Sequence, residues 1–311
     1  MLKQIARILG SLIITLVFSH ASLAQAESER PALTSGLYNG SDLSTATVRD
    51  LVATIKPGTI LILGEMHGLA PIRDQHMEVL NSLRSVYSGQ ISVGMEFINY
   101  TDQTPLSAYS AGLLTEEDFL KKVNWSGFDF ELYRQQILFP SWDLGERVLG
   151  INLSRTVTSQ IAKGGLGSLT PEQLQLMPPN FTVGRDSYRG RFFAAMGMHP
   201  TPKLENYFIA QSAWDDTMAW QTVEFFKKNP EHVFVIIVGE FHAQYGGGLP
   251  DRLRARLNAE NMDHSIVTLS QIYAEGLTSE EIQNEMQPSV TDGPRGDFIW
   301  LTIPVKATDL N

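Results

Sequence analysis

The 311-residue chain contains no cysteine. Disulfides, thiolate nucleophiles, thiolate metal ligands and a lipidated cysteine are thereby excluded, whatever compartment the protein occupies. Charged residues are a modest 19%, and the balance is acidic, with a formal net charge of −10. An acidic chain has no general electrostatic attraction for nucleic acid or for an anionic membrane surface, so no nucleic-acid partner is expected. Beyond the first two dozen residues, no apolar run approaches the roughly 20 residues that a bilayer-spanning helix needs. The Gly-x-Ser-x-Gly elbow, the phosphate-binding loop, the dinucleotide fingerprint and the His-Glu-x-x-His helix are also missing. Nothing in the sequence speaks for those chemistries.

What is present begins with a separable N-terminus. Lys3 and Arg7 precede the largely apolar run from Ile8 to Phe18, and small residues follow at Ser22-Leu23-Ala24 and Ala24-Gln25-Ala26. A basic start, a short apolar core and an A-x-A-like site read as a secretory signal peptide over residues 1–24. A soluble periplasmic protein is expected, with residues 27–311 as a single domain. With 43% hydrophobic residues, that domain can bury a sizeable core.

Along this domain, apolar runs alternate with helical periodicity. Residues 27–50 read as a polar arm leading into a short helix from Asp42 to Thr54. Pro57-Gly58 turns the chain into the β-branched run Thr59–Leu63, followed by a helix from Ile72 to Tyr87 and a second strand, Ile91–Met95. Strand, helix and strand joined by short loops are the mark of parallel pairing. Further strands are expected at Val148–Leu153, His232–Val238, Ser265–Leu269 and Phe298–Ile303. Lys163–Asn180, rich in glycine and proline, reads as a flexible segment or lid hinge. The predicted fold is α/β: a mainly parallel central sheet flanked by helices, with an inserted helical subdomain roughly at 100–145 and 165–228.

Two of these strands end alike, in Gly64-Glu65-Met66-His67 and in Gly239-Glu240-Phe241-His242. In open parallel sheets ligands bind at the carboxyl ends of the strands. In extended backbone positions i and i+2 point the same way, so each Glu–His pair is expected to face one crevice. Glu96 and Arg155 arrive at the ends of neighbouring strands. Such a set suits a divalent transition metal held by His67, His242, Glu65 and Glu240, or general acid–base work on a bound substrate. His76, taken alone, reads as a surface histidine. Met196, Met198 and His199 either line an apolar pocket or fill the core, and Asp215 and Asp216 are as compatible with a solvated helix face as with a site.

Taken together, the residues resemble a known family. The matching pieces are Leu63–His67 with His76, Gly94–Phe97, Asn124-Trp125, Asn152–Arg155, Ala210–Ala219, Val238–His242 and Tyr245–Leu253. In this order they resemble the ChaN-like haem-binding uptake proteins, part of the wider Tiki/TraB/erythromycin-esterase-like superfamily. The resemblance implies an α/β core with a helical subdomain and a periplasmic or outer-membrane-associated role in haem or iron handling. It also implies haem bound between the protomers of a homodimer, a tyrosine as iron ligand and an outer-membrane haem receptor as partner. Tyr245 lies in a matching segment, Tyr188 and Tyr207 in the helical region. Arg185, Arg189 and Arg191 are expected to meet the propionates, and Met198 to line the slot. The wider superfamily includes metal-dependent peptidases and esterases. The alternative is therefore a hydrolase with metal on His67 and His242 and with Glu65, Glu96 or Glu240 as a further ligand or the base. The family resemblance favours haem; the residue chemistry alone favours a metal.

Overall fold

Runs that are apolar at every position become strands only where both faces of a sheet are covered. The computed structural model describes residues 33–197 and 201–304. The expected signal peptide and Met198 lie outside the described residues. The chain opens with a short strand pair, β1 (Gly36–Asn39) and β2 (Thr45–Ala46), then α1 (Val48–Thr54), β3 (Ile60–Glu65), α2 (Ala70–Tyr87) and β4 (Ile91–Asn99). Three helices follow: α3 (Gln103–Ser110), α4 (Glu116–Lys122) and α5 (Glu131–Leu138). Then come β5 (Val148–Asn152), α6 (Arg155–Gly164), α7 (Pro171–Gln175), α8 (Asp186–Ala195) and the long α9 (Pro202–Phe226). The chain continues through β6 (Val233–Gly239), α10 (Glu240–Ala243), α11 (Leu249–Ala259), β7 (Ile266–Tyr273), α12 (Ser279–Met286) and β8 (Phe298–Thr302).

The strands form one sheet in the order β2-β1-β8-β7-β3-β6-β4-β5. All pairings from β8 to β5 are parallel, and β1 with β2 adds an antiparallel edge. This is the predicted α/β class. Strand alternation divides the core between two faces. Leu61, Leu63, Val235 and Ile237 pack against α2 through Val79, Leu80 and Leu83. Ile60, Ile62, Phe234 and Ile236 pack against α9 and α11 through Met218, Val223, Leu253 and Leu257. Residues 60–63 and 233–238 are wholly buried, which explains their unbroken apolar character. Truncating one such side chain to alanine costs about 2–5 kcal/mol.

One local expectation is revised. The arm before α1 carries the β1–β2 pair, because Leu37 and Tyr38 are buried where β1 joins β8. The segment 163–180, read as a flexible segment or lid hinge, closes α6, forms a short turn of helix and then α7, whose Thr170 and Gln173 make a reciprocal capping box. The residues expected as a helical subdomain include α9, which is one of the layers covering the sheet. Among the described residues no helix is long and apolar enough to cross a membrane.

Candidate functional site

The two Gly-Glu-x-His endings share a sequence but not a geometry. β3 runs through Glu65, whereas β6 stops at Gly239 and residues 240–243 wind into α10. In a helix successive residues are turned by about 100°, so Glu240 and His242 diverge instead of pointing together. The glycines serve close approaches. A Cβ on Gly64 would lie 3.0 Å from Ala243 Cβ on α10, and one on Gly239 would lie 2.7 Å from His67 Nε2. These contacts bring His67 and α10 against neighbouring strand ends.

Glu65 anchors the first cluster. Its Oε1 accepts hydrogen bonds from His67 Nδ1 and from the Tyr133 hydroxyl, each at 2.8 Å. Its Oε2 lies 3.6 Å from Nδ1 of His76, which is wholly buried and meets Gln271 Oε1 through Nε2 at 2.6 Å. His76 is thus interior, contrary to expectation, because the inner face of α2 meets a polar position on β7. Burial opposes the charged form of His67, but the Glu65 hydrogen bond and the charges of Glu96 and Glu65 outweigh it, raising its pKa. Burial lowers that of His76 and raises that of Tyr133, with Glu65 adding to the effect.

A second cluster surrounds His242. Its Nδ1 donates to Asp215 Oδ1 at 2.6 Å, and its Nε2 lies 3.4 Å from Glu96 Oε1. Glu96 Oε2 accepts from the Gly239 N–H, and Asp215 Oδ2 accepts from the Tyr188 hydroxyl at 3.0 Å. Burial disfavours the imidazolium, yet Asp215 and Glu96 hold the His242 pKa up at about 10. Glu96 is partly buried, which opposes its charge, but the neighbouring histidines and the Gly239 N–H keep its pKa low. Asp215, 0% exposed, is shifted upward by burial despite His242. The ionised pair fits the 2.6 Å contact, with Glu96 on the opposite side of the ring.

Two cavities adjoin these clusters. A polar cleft of about 480 Å³ is lined by His67 and Glu96, with Asn152 and Arg155 on one side and Phe97 and Phe128 on another. A smaller hollow of about 240 Å³ is bounded by Phe192, Met196, Tyr207, Ala210 and Gln211. Arg155 and Trp214 line both. Gln211 Nε2 lies 3.1 Å from the Tyr188 hydroxyl, which ties the hollow wall to the His242 cluster.

The expected residues therefore separate. His67, Glu96 and Arg155 line the cleft, while Glu65 and His242 lie beneath it. Glu240 leaves the predicted set: it pairs with Arg295 Nη2 at 2.6 Å and accepts from Ser270 on β7. The four-residue metal set is accordingly split by the strand-to-helix change at Gly239. Among the described residues no group of three or more histidine, aspartate or glutamate side chains could hold a metal ion. Tyr188 is wholly buried, and burial together with Asp215 pushes its phenol far above the ordinary range. The Arg191 and Arg295 guanidinium groups lie 5.1 and 5.6 Å from the Tyr245 ring. Tyr207 is half-buried at the hollow, and its hydroxyl has no hydrogen-bond partner among the described residues. Arg185 and Arg191 hold Asp292, and Arg189 holds Glu205. Sequence reasoning did not assign Tyr133, Gln211, Trp214 or Arg295 to the site and left Asp215 open; for Gln211, Trp214 and Asp215 the available signal was their place in the Ala210–Ala219 segment that carries the resemblance.

The chain matches the family model described as haem-binding uptake, Tiki superfamily, ChaN, over residues 51–253. Among solved structures it is similar to ChaN of Campylobacter jejuni, described for cofacial haem binding, at 16% identity and a TM-score of 0.60. That match covers 85% of this chain and 94% of the other. An erythromycin esterase, EreC, in its open conformation matches at 12% identity and a TM-score of 0.43, covering 78% of each chain. No curated protein sequence matches the chain.

Proposed function

The chain belongs to the haem-binding uptake family, Tiki superfamily, ChaN, and from that premise we propose that it binds haem at the apolar hollow with Tyr207 as the axial ligand. The observation that carries this reading is the contrast among the three tyrosines. Tyr188 donates to a buried carboxylate, and the Tyr245 ring is close to two guanidinium groups. Tyr207 alone of the three lines the hollow.

The donor set and the walls fit the group. Haem, when bound, supplies a ferric iron that accepts an anionic oxygen donor such as a phenolate. Phe192, Met196, Ala210 and Trp214 give the hollow an apolar and aromatic lining suited to a macrocycle. Tyr207 contributes the oxygen from the wall of the hollow. The hollow is smaller than the macrocycle, so the reading includes an open face that the adjoining cleft or a second copy of the chain covers. It also includes a periplasmic setting, reached through the N-terminal segment, and a role in passing haem onward rather than in catalysis.

Haemin titrated into the purified mature protein should give a saturable shift of the Soret band. Tyr207→Phe should abolish the shift, whereas Tyr188→Phe and Tyr245→Phe should keep it. A wild-type spectrum that stays that of free haemin at micromolar concentrations would refute the reading.

A further inference from the structure

Arg155 stands out among the arginines around the site. It is exposed, at the first position of α6, and it lines both the polar cleft and the apolar hollow. Among the described residues its guanidinium has no carboxylate or hydrogen-bond partner. Other arginines are committed: Arg185 and Arg191 to Asp292, Arg189 to Glu205, Arg295 to Glu240. In a chain with 34 acidic residues against 24 basic ones, a cation left free at the junction of two cavities is an unspent recognition group.

The acids that line the polar cleft with it are already engaged. In the polar cleft, Glu96 is held by the Gly239 N–H and lies beside His242, and Asp102 accepts from Asn99 Nδ2 at 2.7 Å. A second exposed cation, Lys122, lines the same cleft. The two chambers thus differ in chemistry. The hollow is mainly apolar, whereas the cleft combines aromatic rings with amides, the two engaged acids and the two free cations. They meet at Arg155 and the Trp214 ring. A ligand matching both has a flat apolar body and carboxylates along one edge.

We propose that Arg155 is the specificity residue for the propionate edge of the ligand, with the macrocycle over the hollow and its carboxylates directed to the polar cleft. This rests on the haem reading above and assigns to Arg155 the role that the sequence had pointed to in Arg185, Arg189 and Arg191. Those three are held by carboxylates of the protein itself. A guanidinium fits a carboxylate through paired N–H groups, whereas a neutral ester presents no charge for it to meet.

The test compares haemin with haemin dimethyl ester in wild type and in Arg155→Gln, by titration of the Soret band. Arg155→Gln should weaken haemin by about tenfold, as expected for loss of one charge-assisted contact. The ester should bind both proteins equally, and the Soret maximum of bound haemin should not move, since Tyr207 is untouched. Arg155→Glu should weaken haemin further and again spare the ester. Equal weakening of haemin and ester, or no weakening of either, would overturn the assignment while leaving the haem reading intact. Failure of wild type to bind haemin would overturn the haem reading itself, and this assignment with it. Because Arg155 is exposed, the thermal midpoints of the variants serve as the folding control.

Discussion

Replacing Asp215 by asparagine keeps the shape of the side chain and removes the charge facing a buried imidazolium. In the native protein Asp215 Oδ1 is 2.6 Å from His242 Nδ1, and its other oxygen receives the Tyr188 hydroxyl at 3.0 Å. Removing one partner of a buried ion pair costs about 3–5 kcal/mol. Here Glu96, 3.4 Å from Nε2, still offsets part of the charge, which places the expected cost near the lower end, about 3 kcal/mol. For a chain of this size that lowers the thermal midpoint by roughly 10 °C. The pH dependence is the sharper signature. The His242 pKa is raised from 6.5 to about 10 on folding, so its contribution is fully present below 6.5 and is lost as pH rises through 10. Without Asp215 the folded pKa falls back toward the ordinary value. The stability gap between wild type and Asp215→Asn should therefore be widest near pH 6 and shrink steadily toward pH 10. Urea melts followed by circular dichroism across this range measure the gap directly. A gap that stays constant or widens with pH would show that His242 is not the imidazolium on which this reasoning depends.

Two further predictions concern stability and the cleft. Glu146 is wholly buried and accepts hydrogen bonds from the Gly89, Ile91 and Ser141 N–H groups as well as from Arg84 Nη2. Glu146→Ala should cost about 3–5 kcal/mol in denaturant unfolding, and Glu146→Gln distinctly less; a loss below about 1 kcal/mol for alanine would contradict the buried network. At Gly239, an added methyl would meet His67 Nε2 at 2.7 Å and Glu96 Oε2 at 3.5 Å. Gly239→Ala should thus destabilise by about 1–3 kcal/mol and shift the His67 imidazole resonances, whereas unchanged resonances would refute the close approach.

The sheet was legible because its central strands are buried on both faces, which leaves runs such as Ile60–Leu63 and Val233–Val238 with no alternative reading. Glu65 and His67 were legible for the same reason: they end such a run. Glu240 was not, because whether the backbone continues as strand or winds into α10 depends on packing against Gly64, a contact between residues far apart in the chain. His76 and Gln271 likewise satisfy one another across 195 positions, and neither residue signals the other locally. The β1–β2 pair escaped notice because short strands with polar residues are specified by their partner, here β8, and not by their own pattern. The tyrosines show the limit most clearly. Tyr188, Tyr207 and Tyr245 are equivalent as letters, and only burial, Asp215 and the surrounding arginines distinguish them.

The resonance Raman spectrum of the haemin-loaded protein is the most direct test of Tyr207 as the iron ligand. Phenolate vibrational modes are expected in wild type, disappearing in Tyr207→Phe and persisting in Tyr188→Phe and Tyr245→Phe. A spectrum without phenolate modes, retained in Tyr207→Phe and altered by His67→Ala, would place the iron in the polar cleft and contradict the Tyr207 assignment.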